Sequence, residues 1–431
     1  MNFLGYEMKE YIAKALMDLK FDEFSNIQKE VFDNLNSGKN VIARSKTGSG
    51  KTHSFLIPIF NDLDENLEEV QALIIAPTKE LSLQIYKVCQ HIASFCGKEI
   101  VIRNYSAGTD RNKEIAKLDK KMPQIVIGTL GKIKDLAIDE NVLKIYKAKY
   151  FIVDEADMTF SSDNFDTFNE ITNVLSDAKF MFFSATFSDS VLQAIKKYVP
   201  NTTYINIEEE NKNIKHIWIP LKHKERYECL KDLLNTFSPY FCMIFCNKKD
   251  EVVELASKMS ADGYFVGVLH GDLSARERKK VLNDCNKLKY QYLVCSDLAA
   301  RGIDILGVSH IINYSLPYDY EFYVHRSGRT GRMFNDGIVY SFYTDLDDKY
   351  LDNLSKKNIK PVYYEIKNKE LVEYKGRNTR ALRQKPVSDY KKRAAKYVPL
   401  PKKVKPGYKK KRDLKINEIA QNLKKRDKKR G

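Results

Sequence analysis

Short runs of β-branched and aromatic residues alternate with longer stretches of helical periodicity through most of this chain, and that alternation restricts the fold more than any other feature. Candidate strands fall at 40–43, 71–76, 100–105, 124–127, 150–153 and 179–183, with helix-like stretches at 7–19, 51–62, 80–95 and 164–175. Strands separated by helices imply parallel sheet built from right-handed crossovers. A polar segment, 208–213, interrupts the pattern, which restarts with candidate strands at 214–221, 240–245, 265–269, 292–295, 310–313 and 337–342. The expectation is an α/β protein of two parallel-sheet lobes, 1–207 and 214–365, joined by a linker at 208–213. A tail follows from 366, and a cleft lies between the lobes.

Charge separates the tail from the rest. The 431 residues carry a net charge of +16. From Lys375 onward there are 23 Lys and Arg against four acidic residues, a net of +19, while residues 1–374 carry −3. The tail has few large aliphatics, several prolines and runs such as Lys409-Lys410-Lys411-Arg412. It cannot bury enough apolar surface to offset its own ordering entropy, and it reads as mostly disordered with a short helix near 414–423. Tyr390, Tyr397 and Tyr408 sit among the charges, a composition that attracts a polyanion such as RNA. The apolar runs are far shorter than the roughly 18 residues of a membrane span, and no leader pattern is visible, so a cytoplasmic protein without membrane partners is expected. Seven cysteines without a C-x-x-C pair argue against a disulfide framework or zinc ribbon, and Cys242 and Cys246 read as core residues of one strand.

The chemistry concentrates in a few segments. Ser45-Lys46-Thr47-Gly48-Ser49-Gly50-Lys51-Thr52 follows a candidate strand and opens a candidate helix. Its glycines let backbone N–H groups turn toward a phosphate, Lys51 reaches the β/γ-phosphates and the Thr52 hydroxyl can ligate Mg²⁺. The usual pattern has glycine where Ser45 stands. The strand 150–153 runs into Asp154-Glu155-Ala156-Asp157, in which Asp154 is expected to hold Mg²⁺ and Glu155 to polarise the attacking water. In the second lobe Arg326, Arg329 and Arg332 recur every third residue in a glycine-containing segment that is a poor core candidate. Arg329 and Arg332 are candidate arginine fingers, and Asp304 is a candidate contact to the ribose.

Asp-Glu-Ala-Asp after a phosphate loop resembles the DEAD-box RNA helicases, and further motifs of that family follow in order over about residues 3–342. Phe21, Phe24-Ser25 and Ile27-Gln28 resemble the adenine-reading motif, with Phe24 where proline is usual and Phe3, or less favourably Tyr6, as the upstream aromatic that stacks on the base. Pro77-Thr78-Lys79-Glu80-Leu81, Ala107-Gly108 and Gly128-Thr129-Leu130-Gly131-Lys132 resemble the first-lobe RNA motifs, and Ser184-Ala185-Thr186 the coupling motif. Asn247, Gly271, Arg278 and Ser296 stand where the family's second-lobe RNA motifs would place contacts, and His325 opens the last motif and joins Ser184 and Thr186 in coupling. Departures fall at Ala107, Leu130 and Lys132, where glycine, proline and arginine are preferred.

The resemblance implies an ATP-dependent RNA helicase of two RecA-like lobes that uses ATP and Mg²⁺. Its hydrolysis would depend on closure of the lobes over ATP and single-stranded RNA, with local strand separation as the result. The basic tail and the sequence after the phosphate loop look most like bacterial cold-shock members, which suggests ribosome assembly or mRNA turnover, with proteins of those processes as partners. An ATP-controlled RNA clamp and a DNA translocase are the competing readings, to be told apart by strand separation and by DNA-stimulated hydrolysis.

Overall fold

The computed structural model describes residues 2–46, 48–106, 110–160, 164–175, 177–207, 214–300, 305, 307–331, 336–356 and 359–374, and in the tail 398, 412, 414–416 and 418–419. A small antiparallel hairpin, β1 (Asn2–Phe3) and β2 (Tyr6–Glu7), opens the chain. The first large sheet comprises β3 (Asn40–Arg44), β4 (Ala72–Ile75), β5 (Ile102–Tyr105), β6 (Ile125–Gly128), β7 (Tyr150–Val153), β8 (Lys179–Ser184) and β9 (Thr202–Asn206), in the spatial order β5-β6-β4-β7-β8-β3-β9. The second comprises β10 (Ile214–Pro220), β11 (Cys242–Cys246), β12 (Val266–Leu269), β13 (Tyr292–Ser296), β14 (His310–Asn313), β15 (Gly337–Tyr343), β16 (Val362–Lys367) and β17 (Glu370–Glu373), in the order β12-β13-β11-β14-β15-β10-β16-β17.

If the six strands β3 to β8 and the six strands β10 to β15 are counted from first to sixth, both sheets have the order third, fourth, second, fifth, sixth, first. The paired registers within these sets are parallel. The lobes are thus one topology used twice without shared sequence, and each adds a further strand, β9 or β16, beside its first. Central strands such as Ala72–Ile75 and Tyr150–Val153 are buried along their whole length, which explains their unbroken apolar sequences. Two apolar clusters cover the two faces of each sheet. Cys242 and Cys246 both lie buried in β11, as core residues.

Three details depart from the sequence reading. β9 carries no strand signal, because Thr-Thr-Tyr-Ile-Asn is largely polar; as the outer strand beside β3 it needs only Ile205 inward. The second sheet continues past 365 to Glu373, and the compact unit ends at Val372. This added segment is rich in Lys and Glu, yet Ile366 and Leu371 pack onto the second lobe's core. Arg326, in a segment read as a poor core candidate, is 2 % exposed. In the tail, 412, 414–416 and 418–419 are helical and the Arg412 Nε–H donates to the Val398 carbonyl at 3.1 Å. The linker 208–213 and the rest of the tail lie outside the described residues.

Candidate ATP and RNA site

The candidate residues sort by strand. In the first lobe the adenine-side candidates Phe3, Phe21 and Gln28 precede β3, the phosphate and carboxylate candidates follow the first and fifth strands, β3 and β7, and the coupling residues Ser184 and Thr186 lie at the end of the sixth, β8. The RNA candidates follow the second, third and fourth, β4, β5 and β6. In the second lobe Asn247, Gly271 and Ser296 stand at the ends of β11, β12 and β13, which are again the second, third and fourth strands. His325 and Arg329 come from the segment after the fifth, β14. Ligands of open parallel sheets bind at the carboxyl ends of strands, where most of these candidates stand, and the RNA candidates fall at corresponding strand ends in both lobes.

The phosphate loop leaves β3 and enters the helix Lys51–Asp62 through Gly48 and Gly50, both at positive φ (83° and 93°). The positive φ favours glycine at Gly50, where a Cβ would also stand 2.5 Å from Gln28 Nε2 and force that amide to shift. Ser49 Oγ donates to the Lys46 carbonyl at 2.8 Å and meets Ser45 Oγ. The Ser45 N–H donates to the Ser184 carbonyl at 3.0 Å, which ties the phosphate loop to the coupling segment. Lys51 is buried, with Nζ donating to the Ser45 carbonyl at 3.2 Å and standing 3.4 Å from Glu155 Oε1. Thr52 follows on the first turn, half-buried. Thr47 lies outside the described residues.

The adenine-side candidates form an aromatic corner. Phe24, where the family prefers proline, is buried edge-on against Phe3, Tyr6 and Phe32 and serves as core. Tyr6 makes two such edge contacts and Phe3 one, while Phe21 packs on His53 at 5.0 Å. Gln28 is buried: Oε1 accepts from the Ser25 N–H at 2.9 Å as part of a capping box, and Nε2 donates to the Gly50 carbonyl at 3.2 Å. One further lone pair and one further N–H remain on that amide.

At the end of β7, Asp154 is buried and its Oδ1 accepts the Glu155 N–H at 3.0 Å. Burial, then the neighbouring Glu155 charge, pushes the Asp154 carboxyl well above the usual carboxylate range. Glu155 sits at φ 46°, a left-handed conformation rare for a side-chain-bearing residue, and its Oε2 is buried with no hydrogen-bond partner among the described residues. Thr52 and Asp154 offer hard oxygens, the donor type that suits a hard cation such as Mg²⁺.

Asp157 has no assigned role in the sequence reading, and the structure places it at the centre of the lobe contact. Its Oδ2 accepts from Thr186 Oγ1 within the lobe and from His325 Nε2 of the other lobe, the latter at 3.0 Å. Burial raises its carboxyl, but the hydrogen bond and charge of His325, with Ser184 and Thr186, outweigh that and hold it below the usual range. His325 Nδ1 stands 4.0 Å from Glu155 Oε2. Ser184, Thr186 and His325 therefore converge on one carboxylate. The fourth letter of the acidic run was the available signal.

Arg278, an expected RNA contact, reaches the other lobe: its Nε lies 2.5 Å from Glu80 Oε1, and its terminal N–H donates to the Ala299 carbonyl at 2.7 Å. Glu80 carries no role in the sequence reading. Asn247 is also turned inward, with Nδ2 donating to the Leu316 carbonyl at 2.8 Å and Oδ1 accepting from Arg326 at 2.9 Å. Thr78 caps the helix Lys79–Ser94 by accepting the Leu81 N–H, directly after Pro77. Gly128 cannot carry a Cβ, which would lie 2.4 Å from the Tyr105 carbonyl oxygen, and the Thr129 N–H donates to that same oxygen at 3.1 Å. Lys79 is half-buried, Gly271 is exposed and Ser296 is buried at the end of β13. Lys132, in place of arginine, is held by Glu114 at 3.0 Å and Asp135 at 3.2 Å. Gly108, Asp304 and Arg332 lie outside the described residues.

Residues 25–195 match the DEAD/DEAH box helicase family and 225–334 the helicase conserved C-terminal domain family. The chain is 38% identical to the DEAD-box ATP-dependent RNA helicase CshB of Bacillus cereus over 417 residues, 95% of each chain. It is 38% identical to CshB of Bacillus subtilis, over 97% of this chain and 96% of the other. Among solved structures, S. cerevisiae Dbp5 bound to RNA and ADP BeF3 superposes with a TM-score of 0.75 at 29% identity, covering 83% of this chain and 94% of that one. Mss116p bound to ssRNA and AMP-PNP gives 0.74 at 26% identity, covering 83% and 77%. With two RecA-like lobes in contact through Asp157 and His325, and relatives of this likeness along nearly its whole length, the chain belongs to the DEAD-box family of ATP-dependent RNA helicases.

Proposed function

We propose that this helicase turns over ATP only when nucleotide and RNA together hold its lobes closed, and that the Asp157–His325 contact is the element that reports closure to the hydrolytic groups. The supporting observation is that His325 stands between two first-lobe carboxylates, hydrogen-bonded to Asp157 and 4.0 Å from Glu155. A displacement of the second lobe thus alters the surroundings of the group assigned to water. Each ligand can drive the change only through its preference for the closed arrangement, and contacts made by both lobes supply that preference.

In this reading the Ser45–Thr52 loop holds the phosphates and Lys51 exchanges its contact with Glu155 for a phosphate oxygen. Glu155 then orients the attacking water and takes its proton. Arg329, and Arg332, are assigned to the transferred phosphoryl group, Asp304 to the ribose, and Phe3, Phe21 and Gln28 to adenine. Thr52 and Asp154 would hold Mg²⁺, which supplies charge neutralisation between the phosphates. Pro77, Thr78, Lys79, Gly108, Gly128 and Thr129 of the first lobe face RNA with Gly271 and Ser296 of the second, while Asn247 and Arg278 act by holding the lobe and the closed arrangement. Phosphate and 2′-hydroxyl contacts would select RNA while reading little sequence. Resemblance to bacterial cold-shock members supports a cytoplasmic role on structured RNA in ribosome assembly or mRNA turnover. No helix among the described residues is long and apolar enough to cross a membrane.

The test is a pair of substitutions read in binding and turnover assays. Glu155→Gln is expected to keep ATP and RNA bound while hydrolysis is lost, and Lys51→Ala to lose nucleotide binding. Full-rate turnover without RNA in the unaltered protein would overturn the dependence on closure.

A further inference from the structure

The helix Ala275–Asn286 begins a few residues beyond Gly271, where the proposed RNA path leaves the second lobe, and runs beside the edge strand β12. Its inner face is apolar, with Cys285 buried and Val281 and Leu282 packed on the lobe's core. Its outer face carries Arg276, Lys279 and Lys280, followed by Lys287 just past its end, all exposed. At helical spacing Arg276, Lys279, Lys280 and Lys287 share one face as a stripe, with Asn283 between the last two. Among the described residues none of the basic side chains Arg276, Lys279, Lys280 and Lys287 is in an ion pair within 4 Å, although the Asp284 charge also reaches Lys280 and Lys287, and the acids of the segment are engaged elsewhere. Glu277 closes the capping box with Ser274, and Asp284 pairs with Lys289 at 2.8 Å. The stripe ends at an apolar step: Phe265 is 71% exposed at the start of β12, Leu288 is 44% exposed, and Tyr290 lies over Gly267 on the same strand.

We propose that this stripe is a second RNA site, a track that carries single-stranded RNA emerging from the cleft along the helix to a stacking step at Phe265. The inference rests on the reading that RNA passes Gly271. A solvated basic face would need no exposed phenylalanine at its end, and a basic face that continues a nucleic-acid path favours an RNA strand over an acidic protein partner. Unpaired cations leading from a nucleic-acid path to an exposed ring match the combination that binds single strands, with backbone charge along the groove and a base on the aromatic. The helix of 12 residues is about 18 Å long, room for a few nucleotides beyond those in the cleft.

The experiment uses the full chain and two sets of oligoribonucleotides: a short one that fills only the cleft, and longer ones extended at the 5′ or the 3′ end. The variants are Lys279→Gln/Lys280→Gln/Lys287→Gln together, and Phe265→Ala. For one extended set, the triple variant is expected to bind roughly tenfold more weakly, with the salt slope reduced by about 2. Phe265→Ala should cost at least about fivefold on the same set. Short-oligomer affinity and RNA-saturated ATPase should stay at the wild-type level, which also shows that the lobe is folded. Equal losses on short and extended RNA, or no loss on either extension, would overturn the track. Failure of the short oligomer to stimulate ATPase in the unaltered protein would instead count against the cleft reading itself.

Discussion

His325 of the second lobe donates from Nε2 to Asp157 Oδ2 of the first at 3.0 Å, and the same carboxylate accepts from Thr186. The acidic segment that follows β7, the coupling segment that follows β8 and the arginine-bearing segment that follows β14 therefore share one buried anion. Asp157→Asn keeps the shape and removes the charge that favours His325. It is expected to leave ATP and RNA binding measurable separately while their mutual enhancement drops by about 5- to 150-fold, the range of common coupling energies. Affinity for single-stranded RNA with and without a non-hydrolysable ATP analogue reads this directly. Unchanged coupling would remove Asp157 from the closure mechanism.

Arg326 is the buried node of the second lobe. Its five N–H groups meet Asp297 at 2.5 and 2.6 Å, Asn247 at 2.9 Å, Asn313 at 3.0 Å and the Ser315 carbonyl at 2.7 Å, and its guanidinium lies 5.1 Å from the Phe245 ring centroid. Lysine cannot reproduce that planar fork. Arg326→Ala should destabilise the second lobe by about 3–5 kcal/mol, because Asp297 is left without its partner. Denaturant unfolding measures the loss, and nucleotide binding at the first lobe should persist when the variant is folded.

His216 gives the second lobe an acid sensitivity. Burial holds its imidazole down at about 4, and its Nδ1 lies 3.0 Å from the Tyr323 hydroxyl. Between the ordinary histidine range and about pH 4 the unfolded chain binds a proton that the folded one does not, so stability falls as pH falls through that window. Each tenfold loss of proton affinity on folding is worth about 1.4 kcal/mol, so the full effect is on the order of 3 kcal/mol. Thermal unfolding at pH 7 and pH 4.5 should show a smaller difference in His216→Gln than in the unaltered protein. Equal differences would place the acid sensitivity elsewhere.

The tail should act on RNA affinity without acting on chemistry. Removing 375–431 leaves β17 intact and takes away a net charge of +19. RNA affinity should weaken, and loss of five phosphate contacts should flatten the salt slope by roughly 3 to 4. RNA-saturated turnover should survive, since every group assigned to hydrolysis lies earlier. A salt titration beside an ATPase assay on both forms measures both effects, and an unchanged slope would exclude the tail from RNA binding.

The two-lobed α/β class, the phosphate loop, the acidic strand end and the family resemblance were all legible in the chain, because each depends on residues adjacent along it. Unbroken apolar runs such as Tyr150–Val153 mark buried parallel strands, and Gly48, Gly50 and Lys51 carry their chemistry within one turn. What depends on partners far apart in sequence became visible only in the folded lobes. Whether Arg326 is solvated or buried depends on Asn247, Asp297 and Asn313, which meet only because β11, β13 and β14 neighbour one another in the sheet. The protein partners of Arg278 and Asn247, which are Glu80 for the one and Leu316 and Arg326 for the other, are likewise set by the packed lobes. Periodicity reports which face of an element is apolar, but a polar side chain's partner is chosen by whatever group the fold brings within about 3 Å of it.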